Sequence, residues 1–230
     1  MKERSDHGTF LDTVNLNLIR KYMGVISLAG VTSNPSIVKK ESPINFYEHM
    51  RELRQIIGKE RTFHVQVVGE TTEAMIDDAH MILEKIDDQV YIKIPTNMQG
   101  LAAIKRLESE GIHVTATAIY SEFQGYLAIA AGADYLAPYY NRMVNMNVDS
   151  DLVIKHLAAQ IQRDQSNTKI LAASFHTVQQ INSSFVMGAQ AVTMGPELLE
   201  TALSSPAISA AVTGFKTDWE QLYEANTLDV

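Results

Sequence analysis

Val90-Tyr91-Ile92-Lys93-Ile94-Pro95 sets a lysine in the middle of an apolar, β-branched run. Side chains alternate along a strand, so Val90, Ile92 and Ile94 point one way and Tyr91 and Lys93 the other. When both faces of such a strand are covered, the lysine has few routes to water. Burial disfavours its charged form and lowers its pKa. A neutral amine is a nucleophile, and its obvious use is a Schiff base with a ketone or aldehyde. The plainer readings of the same residue are a lysine paired with a carboxylate inside the protein, or one snorkelling at a strand end.

A strand with both faces covered implies a particular kind of fold, and the rest of the chain supplies it. A short apolar run, a polar turn and a helical stretch recur along the sequence. The expected strands are Phe10–Val14, Leu28–Asn34, Phe63–Gly69, Val90–Thr96, His113–Tyr120, Tyr135–Met143, Lys169–Phe175 and Ala191–Gly195. Thr71-Thr72-Glu73-Ala74 opens one helix, with Ala74, Ile76, Ala79, Ile82 and Leu83 roughly on one face. Leu101, Ile104 and Leu107 mark another, and Leu152, Ile154, Leu157 and Ile161 a third, after Asp149 or Ser150 as cap. Strands alternating with helices imply a parallel sheet. Eight units in 230 residues average about 29 residues each, the size of a (β/α)8 TIM barrel. An open doubly wound sheet is the alternative, but Asp12-Thr13-Val14-Asn15-Leu16-Asn17 lacks the glycines expected after its first strand. No linker or composition shift divides the chain, so residues 1–230 read as a single barrel domain with an extra C-terminal helix at about 206–224. Pro206 can open that helix, and Ile208, Ala211, Val212, Phe215, Trp219 and Leu222 form a stripe along it. The stripe either packs across the barrel's own bottom or docks on a neighbouring subunit.

Composition narrows the class. Forty-six per cent apolar and 20% charged residues is a globular balance, which rules out disorder. A net charge of −8 argues against nucleic acid as a partner. The absence of cysteine excludes disulfides, thiol nucleophiles and Cys-based metal sites. The first residues, Met1 to Gly8, are polar and unlike a signal peptide. No apolar run approaches the ~18 residues of a membrane span, so a cytoplasmic protein without a membrane partner is expected.

Polar residues also occur where barrel strands should be apolar. Asp12 sits within Phe-Leu-Asp-Thr-Val; Thr32, Ser33 and Asn34 end the second strand; Gln66 lies between Val65 and Val67. Thr115 and Thr117 share a face, Tyr139, Asn141 and Arg142 end the sixth strand, and Ser174 and His176 share a face at the end of the seventh. Singly, Asp12 reads as a helix cap and Gln66 or Thr117 as a local hydrogen-bond partner. Together they gather at the strand C-terminal ends, where barrel active sites sit.

Leu11-Asp12-Thr13, Gly30-Val31-Thr32-Ser33-Asn34-Pro35-Ser36, Val90-Tyr91-Ile92-Lys93-Ile94-Pro95, Gly100-Leu101-Ala102-Ala103-Ile104, Ala137-Pro138-Tyr139-Tyr140-Asn141-Arg142 and Leu171-Ala172-Ala173-Ser174-Phe175 follow one another along nearly the whole chain. In these motifs the sequence resembles the transaldolase family, and most closely its short branch, the fructose-6-phosphate aldolases. The resemblance implies a barrel with a Schiff-base lysine on the fourth strand, here Lys93. It implies that Asp12 and Asn34 hold substrate hydroxyls, with Thr32 nearby. Gln66, Thr117 and Tyr139 would hold a proton-shuttling water, and Arg142 and Ser174 would bind the sugar's phosphate. It implies no metal and no cofactor, with sugar phosphates and small hydroxyketones as substrates. Its members form rings of five that stack into decamers through the C-terminal helix, so a homo-oligomer is expected.

Each implied role has a chemical reason. An iminium on Lys93 is an electron sink for the adjacent carbon–carbon bond. Its formation and hydrolysis need protons moved, which a fixed water can do. Asp12 can accept the hydroxyl proton as that bond breaks, and the forked guanidinium of Arg142 suits phosphate oxygens.

Within the family, transaldolases resemble a pattern with Glu on the third strand and Phe on the sixth, and the aldolase branch one with Gln and Tyr. Gln66 and Tyr139 favour the aldolase, with transaldolase as the alternative. Phe175-His176-Thr177 departs from the family's Phe-Lys-Thr, exchanging a permanent charge near the phosphate for a titratable one. The seven histidines show no compact metal spacing, and the 12 glycines form no nucleotide loop. A barrel that binds sugar phosphates without turnover is the non-enzymatic alternative, and the presence of Lys93 weighs against it.

Overall fold

A computed structural model describes residues 8–229, so the polar start read above lies almost wholly outside the described residues. Eight parallel strands pair in sequence order and close on themselves. They are β1 (Gly8–Asp12), β2 (Leu28–Thr32), β3 (Thr62–Gln66), β4 (Val90–Pro95), β5 (Val114–Ile119), β6 (Tyr135–Pro138), β7 (Lys169–Ala172) and β8 (Ala191–Met194). The register Phe10↔Thr193 and Leu11↔Met194 joins the first strand to the last. The (β/α)8 barrel expected from the sequence is the fold observed.

The helices between the strands are α1 (Leu16–Met23), α2 (Pro35–Lys40), α3 (Phe46–Ile57), α4 (Thr72–Lys85), α5 (Met98–Ser109), α6 (Glu122–Ala130), α7 (Tyr140–Asn145), α8 (Ser150–Arg163) and α9 (Val178–Val186). After β8 come α10 (Pro196–Leu203) and α11 (Pro206–Tyr223). Most of them begin at a polar cap. Asn15, Asn34, Asn45, Thr71, Asn97, Ser121, Asp149 and Thr177 each accept a hydrogen bond from a backbone N–H in the following first turn. Each such cap contributes about 1 kcal/mol and fixes where the strand–helix loop ends. These loops surround the barrel mouth.

Outward-facing strand residues such as Val31, Phe63, Val65, Ile92, Ile94, Leu136, Ile170 and Val192 are buried against the helices. Inside, the N-terminal end of the barrel is closed by Phe10, Tyr135, Leu171 and Ala191, with Ala29 and Tyr91 packed on them. His64 stacks on Tyr91 at 4.8 Å between centroids, and Tyr91 stacks on His113 at 4.6 Å. Gly30 makes room for this floor, because a Cβ there would lie 2.5 Å from the Phe10 ring. Gly100 does the same at the other end, where α5 meets the Pro95 carbonyl two residues beyond Lys93.

Several strands end earlier than expected: β1 at Asp12 and not Val14, β3 at Gln66 and not Gly69, and β7 at Ala172, so that Ser174 and His176 lie in the loop beyond it. Three further readings change. β6 stops at Pro138 and α7 begins at Tyr140, so Asn141 and Arg142 stand on a helix above the strand and not on the strand itself. On α8 the buried position is Val153, and Leu152 is 44% exposed, because the core face is offset by one residue from the apolar run. The α11 stripe does not cross the barrel's own bottom. No residue of α11 is buried, and Ile208, Val212, Phe215 and Leu222 are exposed. Among the described residues no helix is long and apolar enough to cross a membrane.

Candidate active site

Lys93 lies on the inner face of β4, in register with Gln66 on β3 and Thr115 on β5. It is 4% exposed, and its Nζ donates to the backbone carbonyl of Ser33 at 2.8 Å. Burial pulls its pKa below that of an ordinary lysine, and the nearby Asp12 carboxylate opposes this only in part. Asp12 is pushed the other way. Burial raises its pKa, while Lys93 and a hydrogen bond from Thr32 favour the ion. Both groups are thus drawn toward neutrality, which leaves a larger fraction of amine able to attack a carbonyl.

Asp12 is the last residue of β1 and Thr32 the last of β2, and the two are in register. Thr32 Oγ1 donates to Asp12 Oδ1 at 2.5 Å. Asn34 follows as the cap of α2, its Oδ1 accepting from the Ile37 N–H at 3.0 Å. That bond occupies the amide oxygen and leaves the amide NH2 for a ligand's oxygen.

On the opposite wall, Thr117 Oγ1 donates to the Tyr139 hydroxyl at 3.0 Å. The phenol's own proton therefore remains available to another acceptor. Burial raises the Tyr139 pKa, so it stays protonated near neutral pH. Ala118, next to Thr117, has φ of 57°, and the register between β5 and β6 shifts between Ala116 and Ile119. This bulge re-aims the end of β5, as bulges beside active sites do. Arg142 lies over the Tyr139 ring at 4.9 Å, and its Nη1 donates to the Tyr120 hydroxyl at 3.2 Å. Ser174 takes φ of 63° just past β7, and its carbonyl accepts from the Asn141 N–H at 2.8 Å.

A cavity of about 120 Å³ is lined by Asp12, Thr32, Asn34, Lys93, Tyr139, Arg142 and Ser174, which brings seven of the ten expected residues around one space. Thr117 reaches it through Tyr139. Gln66 instead lines an adjoining cavity of about 460 Å³ between α2, α3 and α4, which shares Asn34 with the first. Gln66 Oε1 is buried with no hydrogen-bond partner among the described residues. His176 is exposed, outside the lining of the smaller cavity, and its backbone N–H donates to Gln180 Oε1 at 2.7 Å.

One polar cavity residue was missed in the sequence: Thr193 of β8 lines the space and bonds to Thr32. Thr115, noted in the sequence as a polar residue of its strand but given no role, lines it beside Lys93. The signal for Thr193 was present, since it is the one polar side chain of Ala191-Val192-Thr193-Met194. Among the described residues no group of His, Asp and Glu side chains is arranged to hold a metal ion.

Residues 9–228 match the family model described as Transaldolase/Fructose-6-phosphate aldolase. A protein of Streptococcus pneumoniae named probable fructose-6-phosphate aldolase is 51% identical over 209 residues, which cover 91% of this chain and 94% of that one. Two solved structures share the fold at low identity. One, described as native KDPGal, has a TM-score of 0.56 at 15% identity, covering 85% of this chain and 84% of that one. The other, thiamine phosphate pyrophosphorylase from Pyrococcus furiosus, has a TM-score of 0.58 at 13% identity, with coverage of 83% and 86%. With its motifs spread over the barrel mouth and the family model matched from β1 to beyond α11, the chain belongs to the transaldolase/fructose-6-phosphate aldolase family.

Proposed function

We propose that this protein is a class I aldolase that cleaves or forms a ketose phosphate, with fructose 6-phosphate giving dihydroxyacetone and glyceraldehyde 3-phosphate as the reaction, and with Lys93 as the amine that forms the iminium. One observation carries the reading. Lys93 is buried at the barrel mouth, held by a single backbone carbonyl, and it shares a cavity with an acid, a phenol and a guanidinium.

The neutral amine attacks the ketone carbon, and loss of water from the carbinolamine gives the iminium. Asp12 then takes the proton of the substrate hydroxyl. That O–H electron pair becomes the aldehyde carbonyl, the carbon–carbon bond breaks, and its electrons pass to the iminium nitrogen to leave an enamine. The proton taken by Asp12 returns through the water relay to the enamine carbon and restores an iminium that water hydrolyses. Asn34, with its amide NH2 free, holds a substrate hydroxyl near Thr32. Tyr139 supplies the proton donor for returning the enamine to a hydrolysable iminium, oriented by Thr117. Gln66 completes the relay, since its buried, unpartnered Oε1 is an acceptor that an ordered water would satisfy. Arg142 and Ser174 take the phosphate, with His176 at the rim above them. A second aldehyde taking the place of the proton on the enamine carbon would make the enzyme a transaldolase, with water then releasing the new ketose from its iminium. Gln66 and Tyr139 support the aldolase reading. The chemistry needs no metal or cofactor, because the iminium is itself the electron sink.

The same reading has residues 1–230 acting as one barrel domain in the cytoplasm, assembled as a pentamer or decamer. The uncovered apolar stripe of α11 supports assembly between copies. Borohydride reduction with dihydroxyacetone tests the centre of the proposal. The donor's mass should appear on the peptide carrying Lys93, and product analysis with and without an acceptor aldehyde separates cleavage from transfer. Label that persists in Lys93→Met would overturn the assignment.

A further inference from the structure

Thr193 stands on the inner face of β8, 2% exposed, between Val192 and Met194. Its Oγ1 is 2.7 Å from Thr32 Oγ1, which is itself 2.5 Å from Asp12 Oδ1. The direction of this chain follows from chemistry. An ionised carboxylate only accepts, so the single hydroxyl proton of Thr32 goes to Asp12. The contact between the two threonines then needs its proton from Thr193. Three strands, β1, β2 and β8, thereby meet in one directed line: Thr193 O–H to Thr32, Thr32 O–H to Asp12.

We propose that Thr193 is a positioning residue for Asp12, holding the Thr32 hydroxyl on Oδ1 so that Oδ2 is the oxygen left to take the substrate's proton. The inference rests on the reading of Asp12 as the base. Consecutive hydrogen bonds polarise one another, so the outer hydroxyl strengthens the inner bond. The charged groups around Asp12 are Lys93 on β4 and Lys40 at the end of α2, which favour the carboxylate, and Glu197 on α10, which opposes it. Substitution of Thr193 leaves all three in place. Losing its hydroxyl weakens one stabilising bond to the ion, so Asp12 should hold its proton to higher pH.

Thr193→Val removes the hydroxyl with little change of shape, and Thr193→Ser restores it. Thr193→Val should lower kcat/KM for cleavage about 3- to 10-fold, the worth of one hydrogen bond, and should move the acid limb of the pH profile to higher pH. Thr193→Ser should return both toward the parent. In a Thr32→Val background the chain is already broken, so adding Thr193→Val should leave the acid limb where it is. An acid limb unmoved in Thr193→Val, equal losses in the Val and Ser variants, or an additional shift in the Thr32→Val background would each overturn the inference. Asp12→Asn separates the two levels. If it cleaves like the parent, the base reading of Asp12 fails and the inference with it. If it is inactive while Thr193→Val behaves as the parent, the positioning role alone fails.

Discussion

His64 and Lys93 face the interior of the same barrel on adjacent strands, one toward the closed end and one at the mouth. Both are buried bases whose pKa is lowered chiefly by desolvation. His64 spends both ring nitrogens on threonine hydroxyls, Thr115 at 2.8 Å and Thr62 at 2.9 Å, and its ring is packed by Phe10, Tyr91 and Tyr135. Lys93 bonds to one backbone carbonyl and lines open space. A displaced pKa therefore does not distinguish a reactive base from a structural one. Free hydrogen-bonding capacity beside a cavity does, and of these two bases Lys93 has it and His64 does not.

Lys93→Met should have the largest effect, a loss of more than about 10⁴-fold in cleavage, the scale on which removal of a nucleophile is felt. A steady-state assay beside borohydride labelling checks it, and substantial residual cleavage would erase the distinction between the two bases. In the parent, trapping of a ketone should rise with pH, because only the neutral amine attacks. It should level off below the ordinary lysine value of 10.5, since Lys93 is shifted down.

Tyr139→Phe comes next. If the phenol proton serves to turn the donor's enamine back into a hydrolysable iminium, release of free ketone should fall by roughly 10²-fold, and transfer, in which an aldehyde takes that proton's place, by less. Equal losses in the two assays would make Tyr139 a packing residue, more like the aromatic rings of the floor.

At the closed end the expected effect is on stability. His64→Leu leaves the hydroxyls of Thr62 and Thr115 short of a partner and should cost about 1–3 kcal/mol, read as a lower midpoint in urea. Ketone trapping by Lys93 should persist. The pH dependence has a definite sign. The folded state keeps His64 neutral well below the unfolded value near 6.5, so the unfolded chain binds the extra proton. Parental stability should therefore fall as pH drops below that value, by at most about 1.4 kcal/mol per pH unit from this group, and His64→Leu should lack that component.

The smallest effect on the barrel itself is expected from truncation at Thr213. With no residue of α11 buried, the barrel's unfolding midpoint should hardly change, while the assembly mass by light scattering should drop. An unchanged mass would remove the support for assembly through this helix.

By itself the sequence determined the barrel, most element positions and seven residues of the cavity. Repeated apolar runs followed by Asn, Ser, Thr or Asp caps are local signals, and alternation along a strand fixes which side chains face inward. Lys93 was legible because a lysine inside Val-Tyr-Ile-Lys-Ile-Pro conflicts with the local pattern. Other features required the fold. Thr193 stands out locally as the polar residue of its strand, but its contact with Thr32 beside Asp12 comes from the closure of β8 onto β1, a pairing of residues about 180 positions apart that no local pattern encodes. From the sequence Asn34 reads as the end of the second strand, with a substrate hydroxyl as the partner that the resemblance implies. In the structure its amide oxygen caps α2 and its NH2 remains for the cavity, so capping and binding divide between two atoms. Gln66 sits in register beside Lys93 yet lines the adjoining space, and Arg142 reaches the mouth from a short helix and not from a strand. Side-chain type and periodicity are properties of neighbours in the chain, whereas hydrogen-bond direction, cavity membership and the burial that shifts a pKa depend on groups brought together from distant strands.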